Sequence, residues 1–62
     1  MPLEITARHQ FEHLQRNMTP IEVYQDGKLV DKGLISKIKD NSICLNNDNC
    51  YLLQNTQFIL PV

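Results

Sequence analysis

The sequence predicts a mainly β domain with one N-terminal helix, a small five-stranded antiparallel barrel built from 62 residues. Three observations predict it. Leu3, Ala7, Phe11, Leu14 and Met18 recur at spacings of four, four, three and four, the stripe of an amphipathic helix. Short alternating runs follow, the first two joined by Asp26-Gly27, a two-residue hairpin signal. Gly33 then stands inside the longest run, where a small barrel needs a bulge or sharp bend in order to curl on itself.

The helix is expected over residues 3–16, with Pro2 at or near its start, Glu4 in its first turn and Arg16 in its last, as the helix dipole prefers. Asn17 and Pro20 end it, because the residue before a proline avoids the α region. The barrel is expected over residues 20–61. Ile21-Glu22-Val23-Tyr24 alternates as a half-buried strand. Lys28 to Lys39 reads as one long bent strand, Asp40-Asn41 as a turn, and Ile43-Cys44-Leu45 as a third strand. Asn46-Asn47-Asp48-Asn49 is a turn rich in residues that tolerate a left-handed backbone. Cys50 to Leu53 is the fourth strand, Gln54-Asn55-Thr56 a tight turn, and Gln57 to Leu60 the fifth strand, closed by Pro61, which has no N–H to donate. One domain fills the chain, with no internal repeat and no linker.

Composition narrows the functional classes. Six Lys plus Arg stand against seven Asp plus Glu, a net charge of −1, so the basic excess usual in a nucleic-acid-binding domain is missing. The chain is 42% hydrophobic yet has no Trp and only Phe11, Tyr24, Tyr51 and Phe58 as aromatics. A core that thin predicts completion by further copies of the chain, hence a homo-oligomer. The edges expected to pair between subunits are the fourth and fifth strands, through Cys50, Tyr51, Leu52, Leu53, Phe58 and Leu60. No apolar run is long enough to span a membrane, and Met1 to Thr6 has neither a basic nor an apolar leader region, so the expected location is the cytoplasm without membrane contact.

No nucleophile–base pairing, glycine-rich phosphate loop or carboxylate dyad is present, and no enzymatic activity is expected. His9-Gln10-Phe11-Glu12-His13 fits the H-x-x-E-H pattern of some zinc peptidases. Such enzymes need a third ligand on another helix and a substrate cleft, so the two histidines read as solvent-facing, and neither metal nor cofactor is expected. Cys44 and Cys50 lack C-x-x-C spacing. For a cytoplasmic chain they are expected as reduced, semi-buried thiols, a cross-strand disulfide being the alternative.

From Gln10 to Pro61 the chain resembles the Hfq branch of the bacterial Sm-like family, on Pro20-Ile21-Glu22-Val23-Tyr24, Asp26-Gly27, Gly33-Leu34-Ile35, Asp40-Asn41 and the run from Tyr51 to Pro61. The resemblance implies an Sm/SH3-type barrel that forms rings and binds RNA or regulates RNA metabolism. It implies Tyr24 as a stacking platform, Asn41 as a base-edge contact and Arg16 as a remnant of an arginine-rich rim. Lys39 ends an arm carrying Lys28, Lys32 and Lys37 beside Asp31 and Asp40, either a solvated mixed-charge strand or a phosphate-contacting edge. The departures fall on the chemistry: Leu52-Leu53 follows Tyr51 where the family has Lys-His, and Ser42 replaces the uracil-stacking aromatic. The competing reading is therefore an SH3-like protein-interaction adaptor or inhibitor that binds no nucleic acid.

Overall fold

A computed structural model describes residues 3–61. Its elements run β1 (Leu3–Ile5), α1 (Arg8–Arg16), β2 (Ile21–Gln25), β3 (Lys28–Gly33), β4 (Ile35–Ile38), β5 (Ser42–Leu45), β6 (Asn49–Leu52) and β7 (Gln57–Leu60). The strands form two open antiparallel sheets, one ordered β1-β7-β2-β3 and the other β4-β5-β6. This overturns the closed five-stranded barrel. The expected long strand is cut at Leu34: Gly33, at φ +151°, turns the chain out of the first sheet, and Leu34 gives its carbonyl to the Asn46 N–H at 3.1 Å. Its two halves, β3 and β4, then pair with different partners, and no ladder joins the sheets among the described residues.

The seventh strand comes from the expected helix. Residues 3–5 are extended, Leu3 opposite Leu60 and Ile5 opposite Phe58, so the helix starts only at Arg8. Leu3 and Ile5 also satisfy a period of two, and the β-branched pair Ile5-Thr6 favours extended backbone. Ala7 is the N-cap, and the Gln10 side-chain oxygen accepts the N–H groups of both Thr6 and Ala7 at 3.0 Å, locking the strand-to-helix corner. Glu4 consequently lies in β1 and not in a helical first turn. Pro2 lies outside the described residues.

The other helix end falls as expected. The Met18 N–H donates to the Gln15 carbonyl at 3.2 Å and the Thr19 N–H to the Leu14 carbonyl at 3.0 Å, a Schellman closure with Met18 left-handed at φ 52°. Met18 is 70% exposed, so its side chain loses little if removed. Met18→Gly is expected to raise stability by about 0.5–1 kcal/mol, because glycine adopts this conformation without the Cβ penalty. Thermal melting should show the midpoint rising by roughly 2–8 °C.

Asp26 and Gly27 both have positive φ, 52° and 77°, in a two-residue turn that sets Gln25 opposite Lys28, as a type I′ hairpin requires. Asn46 (φ 52°), Asn47 (φ 80°) and Asn55 (φ 67°) supply the left-handed residues of the later turns. The core lies where α1 and the inner faces of both sheets meet: Ile5, Phe11, Leu14, Ile21, Val23, Ile35, Ile43, Leu45 and Phe58. Phe11 and Phe58 pack edge to face, with centroids 5.2 Å apart. Strand β5 is buried along its whole length. Cys44 on that strand stands opposite Cys50 on β6, and the two are joined as a disulfide, which corrects the expectation of free thiols.

Candidate functional site

The expected RNA-binding residues do not share one surface. Tyr24 lies on the outer face of β2 between Gln57 and Leu29, and its hydroxyl donates to Glu22 Oε1 at 3.1 Å. That bond to a carboxylate pushes the phenol up from its ordinary range. Lys39 and Asn41 flank Asp40 at the β4–β5 turn, where their backbones are engaged: the Lys39 N–H donates to the Ser42 carbonyl and the Leu53 N–H to the Asn41 carbonyl. Lys39 borders a shallow cleft of about 230 Å³ with Arg8, Asp40 and Leu53, and the Asp40 carboxylate lies 3.9 Å from Arg8. Arg16, at the end of α1, lines a different and larger groove.

The expected interface residues divide as well. Strand β7 sits between β1 and β2, so it is not an edge; residues 3–5 cover the side the sequence left open. Phe58 is 2% exposed in the core and Leu60 packs against that core. Strand β6 is an edge of its sheet. There Leu52 is 56% exposed and Leu53 follows it at the surface, while Cys50 is held by Cys44 and Tyr51 packs against the core.

Tyr51 belongs to a polar clasp that patterning did not reveal. Its hydroxyl donates to Asp31 Oδ2 at 2.9 Å, and Asn49 Nδ2 donates to the same oxygen at 3.2 Å. Asp31 Oδ1 accepts from the Lys32 N–H at 2.8 Å and from Asn46 Nδ2 at 3.4 Å. Burial, then the hydrogen bond to Asp31, pushes the Tyr51 phenol up. A bulge between Val23 and Tyr24 explains the placement: Tyr24 pairs with Leu29 but Val23 with Asp31, leaving Val30 as the extra residue. The slip turns Asp31 to the inner face beside Val23, and Leu29 and Val30 are exposed. Strict alternation read from the hairpin turn leaves Leu29 outward but puts Val30 inward and Asp31 outward. Asp31 thereby links the two sheets where no ladder does.

The larger groove, about 470 Å³, runs between α1 and the β1–β7 end of the first sheet. Its floor is apolar: Leu3 and Leu60, paired in register, with Ile5 and Leu14. This is the core's inner sheet face continued past the helix, and it leaves Leu3 53% exposed. Its wall is one helix ridge, His9, His13 and Arg16 at i, i+4 and i+7, with Gln10 and Glu12 beside it. Asn17 Nδ2 donates to His13 Nε2 at 2.9 Å, and Arg8 pairs with Glu12 at 3.4 Å. A volume of this size over an apolar floor with a few polar groups is the usual form of a binding site.

No group of three or more metal-ligating side chains occurs among the described residues, and no helix there is long and apolar enough to cross a membrane. Nothing among protein-family models, curated proteins or solved structures matches the chain.

Proposed function

We propose that this chain is a non-catalytic protein-interaction module, an adaptor or inhibitor that works without nucleic acid. The observation that carries this reading is the apolar-floored groove between α1 and the β1–β7 edge. What supports it is continuity: Leu3, Ile5, Leu14 and Leu60 form one apolar lining rimmed by His9, His13 and Arg16, the form an interaction site takes. The net charge of −1 and the scattering of Tyr24, Arg16, Lys39 and Asn41 weigh against RNA.

The test is selection from a phage-displayed random peptide library, run in parallel on the wild-type chain and on Leu3→Lys, with labelled oligouridylate and oligoadenylate assayed by anisotropy. Peptides enriched on the wild type and lost on Leu3→Lys are expected, with no oligonucleotide binding. Absence of such peptides together with oligonucleotide binding overturns the reading in favour of RNA. A second reading, self-association, rests on the exposed Leu52 at the β6 edge. Light scattering across a concentration series decides it: a mass that stays at one chain excludes it.

A further inference from the structure

The groove has a second property, which deepens the interaction-module reading and rests on it. Strand β1 pairs with β7 along one side only, and its other side is unpaired among the described residues. Leu3 and Ile5 of this same strand line the groove. A free strand edge beside a helix can take an extended chain as a further strand, main-chain hydrogen bonds giving affinity and alternate side chains entering the groove.

Strand β1 is short: its three residues cover two steps, about 6.6 Å at 3.3 Å per residue. An added strand paired along that length directs two alternate side chains to the helix side of the sheet.

Charge selects the occupant. Glu12, the acidic residue on the wall, is engaged by Arg8 at 3.4 Å. Arg16 has no carboxylate partner among the described residues, and the two histidines beside it add donors and no negative charge. The wall thus favours a carboxylate while the floor favours aliphatic groups. We infer that the free edge of β1 binds an extended acidic-apolar peptide, which adds as a strand to β1, directs its alternate aliphatic side chains to the helix side of the sheet beside Leu3 and Ile5, and sets a carboxylate against Arg16.

The probe is a fluorescein-labelled peptide of alternating leucine and glutamate, titrated into the intact chain by anisotropy and mapped by amide chemical shifts. Two comparison peptides and one small molecule are used: lysine for every glutamate, proline at the central positions, and the free fatty acid decanoate as a competitor. Expected are saturable binding with the largest shifts at the amides of Leu3 to Ile5 and along α1, and no binding of the proline peptide, which lacks the N–H groups a strand must donate. Arg16→Glu, an exposed change that keeps the fold, should weaken binding by about tenfold or more, as should the lysine peptide. Equal binding of the lysine or proline peptide, or indifference to Arg16→Glu, overturns the inference. Decanoate that displaces the peptide without shifting the β1 amides replaces it with a small-carboxylate pocket. Peptides enriched in the library selection but neither acidic nor extended would sink this inference and leave the interaction-module reading standing. A library that yields nothing removes both.

Discussion

Phe58→Ala is expected to abolish cooperative folding or bring the chain to the edge of it. The ring is 2% exposed, meets Phe11 edge to face, and stands on the strand that both β1 and β2 flank, opposite Ile5 on one side and Val23 on the other. Removing a buried phenylalanine costs about 3–5 kcal/mol, the transfer term plus the cavity left behind. A chain of 62 residues at roughly 0.05–0.15 kcal/mol per residue holds about 3–9 kcal/mol altogether. The loss takes a third of that at least and can take all of it. Urea unfolding followed by circular dichroism should show a transition moved to much lower denaturant or absent. Ile59→Ala, on the neighbouring half-buried position of the same strand, should cost clearly less. The comparison also decides between core and interface. A Phe58→Ala chain that stays folded with a native amide spectrum while its solution mass drops would make Phe58 a subunit contact, the role the sequence suggested.

How much the sequence disclosed depended on whether a local rule had a competitor. Asp26-Gly27 admits essentially one geometry between two strands, and the structure adopts it. Asn17 and Pro20 leave a helix no way to continue, and the Schellman closure ends it there. The run from Leu3 to Phe11 had two consistent readings, because Leu3, Ala7 and Phe11 fit a helical face while Leu3 and Ile5 fit a strand. A distant event chose between them, the pairing of β1 with β7, about 55 residues away and invisible to any local window. The same holds for closure. Gly33 announced a bend but not whether the two halves would stay in one sheet, which is settled by what β4 pairs with. The site suffered most. Val30 and Asp31 were placed by a one-residue bulge, and such a slip exchanges the faces of everything after it. The groove exists only because residues 3–5 are a strand, so no reading that made them helix could find it.

Gly33→Ala is expected to be the most damaging substitution of a surface-accessible residue, at about 2–4 kcal/mol. Two causes add. At φ +151° an L-residue is strained by about 1–3 kcal/mol. The new methyl would also collide with the Asn46 amide, coming within 2.8 Å of its Cγ and Nδ2. Asn46 has little freedom to move away. It is itself left-handed, its Nδ2 donates to the Lys32 carbonyl at 3.1 Å, and it reaches Asp31 Oδ1 at 3.4 Å. Displacing it gives up hydrogen bonds worth about 1 kcal/mol each and loosens the Asp31 clasp that joins the sheets. The two causes separate in a double-mutant cycle. Asn46→Gly suits the left-handed position and removes the colliding amide, so the double variant should be more stable than the sum of the single losses by roughly 1 kcal/mol or more, while keeping the backbone penalty. Strict additivity would mean that the collision costs nothing and that φ alone demands glycine. A Gly33→Ala chain as stable as the wild type would mean that the chain does not bend there, and the two-sheet arrangement, which begins at that residue, would fall with it.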